Sequence, residues 1–177
     1  MKLDLHTHPW EATLSPPNRE VVGEIVAHVK RRGIQGIGIT EHHNKEYGYR
    51  VAELVREYFP GEILVIPGQE IDIDDRVQVV ELYLKESTFR FLAHPGHPGD
   101  FEDYLEKHAQ ELQGIEVRNL FHDWKMDQEK IQRAAKDYNL LLLSGSDAHS
   151  LWNIGRYWTE LKSLSDLHTK REIAPIV

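Results

Sequence analysis

The 177-residue sequence contains no cysteine. That absence removes disulfides, iron–sulfur clusters, thiol nucleophiles and cysteine-type structural zinc together. Any metal must be held by His, Asp and Glu. Long apolar runs are also missing: none approaches the roughly 18 residues of a membrane span, so no membrane partner is expected. The start, MKLDLHTH, lacks the apolar core of a secretory leader, and a cytoplasmic location is the expectation. Basic residues are in deficit, 21 Lys and Arg against 29 Asp and Glu, for a formal charge of −8. A protein that grips duplex nucleic acid needs a basic footprint, so duplex nucleic acid is not an expected partner. The one basic cluster, Lys30-Arg31-Arg32, closes a predicted helix, where cations complement the helix dipole. No repeat, low-complexity tract or composition break appears, and residues 1–177 read as one domain.

What the sequence does hold is histidine, 11 of them. Their placement follows from the secondary-structure pattern. Short apolar runs predict strands at Lys2–His6, Ile34–Thr40, Ile63–Ile66, Gln78–Leu84, Arg90–Ala93, Gly114–Arg118 and Leu140–Leu143. Gly36 and Gly38 inside the second run predict close backbone approach. Helical spacing predicts a helix capped by Asn18 and stopped by Gly33, and further helices over Glu46–Phe59, Phe101–Leu112 and Asp127–Tyr138. The alternation argues for βα units and a parallel sheet, either a compact seven-unit barrel or an open doubly wound sheet. In both, function gathers at the carboxyl ends of the strands.

The candidate ligands fall at such ends. His6 and His8 end the first strand, His42 and His43 follow the second, and Glu70 the third. His94 and His97 follow the fifth, and Asp147 and His149 the seventh. Two His at i and i+2 of a strand point to the same side and can bind one ion, and Asp147 and His149 share that spacing. Imidazole and carboxylate suit zinc, manganese or iron. A carboxylate such as Glu70 can bridge two ions about 3.5–4 Å apart. His28, His108 and His168 lie in helices or the tail and read as structural or surface residues.

At these residues the sequence resembles the PHP (polymerase and histidinol phosphatase) family. The matching motifs are D-L-H-T-H at 4–8, I-T-E-H-H at 39–43, G-Q-E at 68–70, A-H-P at 93–95, I-E-V-R-N at 115–119 and G-S-D-A-H-S at 145–150. The resemblance implies an α/β fold, a distorted seven-stranded (β/α) barrel, with a cluster of about two or three divalent ions at its mouth. By matching motif, His6, His8, Glu70 and Asp147 would hold the first ion. Glu70 would bridge to a second, shared with His94, and His42 and His149 would hold a third. The chain departs from the family pattern in three ways. Only Glu11 follows the first motif as a further acidic candidate, the 76–84 strand has no His, and Glu41 stands where an Asp is usual. His43, His97 and His122 are undecided.

The implied activity is a metal-dependent phosphoesterase acting on a phosphate ester of a small molecule or nucleotide, with a hydroxide held between ions as the nucleophile. Asp4 is expected to orient a ligand His, and His149 or His42, where not needed as a ligand, to protonate the leaving group. Arg118 and Arg156 are candidates for phosphate contact. Two other readings compete. One is an amidohydrolase-like barrel, in which Lys85 would be the metal-bridging lysine. The other is an inactive PHP-like structural or regulatory module. The aromatics Trp10, Trp124 and Trp152 could rim the mouth but read mainly as packing residues.

Overall fold

The computed structural model describes residues 1–74, 77–96 and 100–167; His97 and His168 lie outside them. Eight strands form one sheet: β1 (Lys2–Asp4), β2 (Gly36–Ile39), β3 (Leu64–Asp74), β4 (Val77–Tyr83), β5 (Thr88–Leu92), β6 (Gly114–Asn119), β7 (Leu141–Gly145) and β8 (Thr159–Glu160). The helices are α1 (Pro9–Thr13), α2 (Arg19–Arg32), α3 (Lys45–Tyr58), α4 (Asp100–His108) and α5 (Gln128–Asp137). The strand order is β7-β6-β5-β4-β3-β2-β1-β8. Among the described residues no helix is long and apolar enough to cross a membrane.

The sheet is an almost closed barrel. β8 pairs antiparallel with β1, and its Thr159 hydroxyl accepts from Ser144 N–H of β7 at 2.9 Å and donates to Ser144 C=O at 3.0 Å. At the opposite rim the continuation of β1 bonds directly to the segment after β7. Asp147 N–H donates to His6 C=O at 2.8 Å and His8 N–H to Ala148 C=O at 2.9 Å. The barrel is therefore sealed where His6, His8 and Asp147 sit.

All seven expected strands are present, but they are not seven parallel βα units. β3–β4 and β4–β5 are antiparallel pairs joined without a helix. The reason is visible in Ile71 and Ile73, which alternate with Glu70 and Asp72. That period of two extends β3 as far as Asp74 instead of leaving a loop. Glu70 thus lies within a strand rather than after one. β8, in the stretch after Ser150, and the five-residue α1 have no periodic signal and were not anticipated.

The core explains the rest. Leu3, Leu5, Val80, Leu82, Phe91 and Leu143 pack together inside the barrel. α2 and α3 lay Val22, Ile25, Val29, Val51 and Leu54 against Ile37 and Ile39. Asn18 caps α2 by accepting from Glu20 and Val21 N–H, and Gly33 ends it with φ 70°. Gly38 is needed because an added Cβ would stand 2.7 Å from Leu5 O. The Lys30-Arg31-Arg32 cluster is structural: Lys30 pairs with Glu62, Arg31 lies over Trp152, and Arg32 donates to the Trp152 and Ile154 carbonyls.

Candidate metal centre

Alternation along the continuation of β1 turns His6 and His8 the same way, and both are fully buried. β3 brings Glu70 to them from one side and the segment after β7 brings Asp147 from the other. His6 Nε2 lies 3.2 Å from Glu70 Oε2 and 3.6 Å from Asp147 Oδ1. His8 Nε2 lies 3.3 Å and 3.1 Å from the same two oxygens. The second oxygens face elsewhere. Glu70 Oε1 is 3.1 Å from His94 Nε2, and Asp147 Oδ2 is 3.9 Å from His94 Nε2 and 3.5 Å from His122 Nε2. Both carboxylates are therefore split between two histidine groups, so each could bridge two ions.

A third group stands at the rim. α1 carries Glu11 to within 3.3 Å of His149 Nε2 and 3.8 Å of His42 Nε2, beside His8. His42 also reaches Glu70 Oε2, at 3.5 Å. Each of the three groups gathers its ligand atoms within 4.8 Å.

The donor atoms fit divalent ions. His8 Nε2 and Asp147 Oδ1 are 3.1 Å apart, yet both are buried without a hydrogen bond, as is His8 Nδ1. An unsatisfied buried polar atom costs about 1–3 kcal/mol. Atoms that approach one another without bonding are aimed at a common point, and a cation there would satisfy them. Every donor is imidazole or carboxylate, the set suited to zinc, manganese or iron.

Charge distribution within the cluster agrees. Burial favours neutral imidazole at His6, but the carboxylates of Glu116, Glu70 and Asp147 outweigh it and hold the pKa well above the ordinary value. Burial likewise opposes protonation of His8, but the Asp147 and Glu70 carboxylates beside it raise its pKa to about 9. Glu70 and Asp147 are lowered despite burial, because His6, His8 and His94 surround them. His122 moves the other way, to about 4, through burial and the neighbouring His94 and Lys125.

The local backbone is bent to suit. His94 has φ 23° and Asp147 φ 52°, values that non-glycine residues adopt rarely and at a cost of about 1–3 kcal/mol. His94 N–H is anchored by Glu116 Oε2 at 2.8 Å.

The expected residues sort as follows. His6, His8, His42, Glu70, His94, Asp147 and His149 come together in the three groups, joined by Glu11 and His122 from the undecided set. His43 stands apart, 2.8 Å from Asp72 at the surface. His28 bonds Glu24 C=O, and His108 pairs with Glu111. Glu41 accepts from Trp10 N–H, and burial raises its pKa to about 7.

Asp4 departs from expectation. Its carboxylate accepts from the Ser146 N–H and hydroxyl and from Gly155 N–H, so it fixes the chain after β7 rather than a ligand ring. The group that orients a ligand is Glu116, with Oε1 3.0 Å from His6 Nδ1. Asn119 supports it, donating to Glu116 Oε2 at 3.1 Å and to Asp147 Oδ2 at 3.4 Å. Both lie in the I-E-V-R-N stretch, where strict alternation from Glu116 would select Arg118; a register shift between Glu116 and Arg118 brings Asn119 to the inner face instead. Arg118, the neighbour between them, is held by Asp123 and Tyr157.

Lys85 follows β4. Because β4 runs antiparallel to its neighbours, its end faces the opposite rim, where Lys85 is exposed beside Tyr49, Arg56 and Tyr83. Trp10 packs edge-on to Tyr47, and Trp152 against His28 of α2; Trp124 is 84% exposed.

Comparisons with known proteins bear on this geometry. A family model described as PHP-associated matches residues 125–172. No curated protein sequence matches the chain. Among solved structures, a provisionally assigned metal-dependent phosphoesterase from Bifidobacterium adolescentis is similar, with TM-score 0.69 and 14% identity over 93% of this chain and 94% of that one. An amidohydrolase from Chromobacterium violaceum, with sulfate bound and no metal, has TM-score 0.66 and 16% identity over 91% and 92%. PsfC from Pseudomonas syringae has TM-score 0.64 and 18% identity over 87% and 78%. The match to the PHP-associated model covers residues 125–172, and the barrel fold is shared with these structures over most of the chain.

Proposed function

We propose that this protein is a metal-dependent hydrolase whose substrate is a phosphate ester of a small molecule or nucleotide. The observation that carries the reading is the division of Glu70 and Asp147 between two histidine groups at the sealed rim of the barrel. His6, His8, Glu70 and Asp147 would hold one divalent ion, His94 and His122 would share those carboxylates with a second, and Glu11, His42 and His149 would hold a third. Ions bound there supply Lewis acidity, activate water and neutralise charge on a transferring phosphoryl group. The rest falls to the chain's own side chains. Glu116 keeps a proton on His6 Nδ1 and so presents the Nε2 lone pair to the site. His149, with 40% of its side chain exposed beside Glu11, turns Nε2 toward the third group; with that ion bound Nε2 is a ligand, and only without it could the same atom protonate a leaving oxygen entering from solvent.

Two likenesses support the phosphate reading. One structural neighbour is provisionally assigned as a phosphoesterase, and another, described as an amidohydrolase, holds sulfate, a tetrahedral oxyanion like phosphate. The lysine-bridged amidohydrolase variant is disfavoured by the position of Lys85. An inactive module is disfavoured by the complete first group.

The test is hydrolysis of an aryl phosphate by metal-stripped protein supplemented in turn with manganese, zinc and iron. Turnover that is lost in Glu70→Gln supports the reading. No turnover with any of these metals, in protein shown to have bound them, overturns it.

A further inference from the structure

The two arginines expected to contact phosphate do not reach the metal groups. Arg118 and Arg156 instead line a separate cavity of about 280 Å³, together with Ser144, Tyr157 and Trp158. None of these five belongs to the ligand groups. Ser144 follows Leu143, which points into the barrel core, so it faces outward. A register shift between Glu116 and Arg118 breaks the alternation of β6 and pairs Arg118 with Ser144, so both face the outside of the wall at the β6–β7–β8 seam.

Its chemistry is that of an anion site. The lining carries two guanidinium groups and no carboxylate. Arg118 is held in place by Nε bonded to Asp123 at 2.9 Å, by its terminal nitrogen bonded to the Tyr157 hydroxyl at 2.8 Å, and by lying over the Tyr157 ring at 5.0 Å. These contacts use Nε and one terminal nitrogen, leaving the other terminal nitrogen to donate. Asp123, the acid that touches the cavity wall, is already bound by Arg118, Tyr157 and Asn119 N–H. Arg156 is exposed and has no side-chain partner among the described residues. Lys2 adds a third cation, 5.1 Å from the Trp158 ring centre. In a chain of net charge −8, three cations against the one carboxylate of Asp123 leave a local excess of positive charge.

We propose that this cavity is a second ligand site, independent of the metal centre, for an organic oxyanion on a flat body. A phosphate or carboxylate group would lie against the Arg118 and Arg156 donors and the Ser144 hydroxyl. An aromatic ring would rest on Trp158 and Tyr157. Guanidinium forms paired bonds to either oxyanion, so the charge chemistry is shared. The volume suits a ligand of one ring and one anionic group rather than a polymer.

The site can be tested without metal, so the result does not depend on the proposed hydrolysis. In chelator-stripped protein, the indole N–H resonance of Trp158, assigned by Trp158→Phe, is followed while phenyl phosphate, benzoate and inorganic phosphate are titrated. A saturable shift with phenyl phosphate or benzoate, weakened about tenfold or more in Arg156→Gln, supports the proposal, and the stronger of the two identifies the oxyanion. Weaker binding of inorganic phosphate supports the aromatic contact. The Arg156 side chain is exposed and has no partner among the described residues, so its variant is expected to retain the fold. No shift of Trp158 with either aromatic probe, or a shift unchanged in Arg156→Gln, overturns the proposal.

Discussion

Oε1 of Glu116 lies 3.0 Å from Nδ1 of His6, while the other ring nitrogen of His6 lies 3.2 Å from Glu70. A carboxylate behind a ligand histidine fixes both its tautomer and its ring orientation. Loss of such a partner typically weakens metal binding about 10–100-fold. Glu116→Ala is therefore expected to lower metal affinity in that range with every direct ligand still present. Competition with a chromophoric chelator measures it. Affinity equal to the unmodified protein would show that Glu116 does not position His6.

The same relationship can be disturbed without touching either residue. An added Cβ at Gly145 would lie 2.5 Å from Glu116 Oε1 and 2.8 Å from His6 Cβ. Neither is the free end of a mobile chain, since Glu116 is fully buried and held by His6, His94 and Asn119. Gly145→Ala is expected to weaken metal binding in the same direction as Glu116→Ala. It should also lower stability by about 1–3 kcal/mol, as overpacking does in a filled core. Chelator competition and denaturant unfolding of the one variant report the two effects.

The site was more legible in the sequence than the sheet that carries it. HxH and DxH at strand ends are local patterns, and local spacing alone turns both side chains of each pair toward one side. Glu11 and His122 were harder to place because each is delivered by a short element, α1 or the turn after β6, with no period to read. The antiparallel β3–β4–β5 path was missed for a related reason. A helix announces itself over three turns, but the absence of a helix between β3 and β4 shows only as the short alternation of Ile71 and Ile73. Asp4 has the strand position for orienting a ligand but not the reach. It shares the inward parity of His6 and lies one step deeper, where backbone N–H groups rather than ligand rings meet it.

Metal should stabilise the fold as well as complete the site. The unfolded chain does not gather these ligands, so bound ion adds about RT ln(1 + [M]/Kd), roughly 2.7 kcal/mol when free metal is a hundredfold above Kd. For a chain of this size that corresponds to a rise in Tm of about 5–10 °C. Chelator should reverse the rise, and Glu70→Gln should largely abolish it. A Tm indifferent to manganese, zinc and iron would contradict an ion held by buried donors.

Asp123 ties the outer cavity to the metal groups, since one oxygen binds Arg118 and Tyr157 and the other accepts Asn119 N–H at 2.8 Å. Burial alone would raise its pKa, but the hydrogen bonds from Arg118, Asn119 and Tyr157 prevail and lower it. A carboxylate with a lowered folded pKa contributes stability above its unfolded pKa of about 3.9, and that contribution is lost as pH falls through the folded value. Asp123→Asn is thus expected to cost about 1 kcal/mol at neutral pH, a modest figure because Arg118 is 44% exposed and its charge is screened. The gap between variant and parent should begin to narrow near about pH 3.9 and close once the pH passes below the lowered folded value. Urea unfolding of both proteins across acid pH checks the sign. A gap that stays constant on acidification would mean that Asp123 acts through shape and not through its charge.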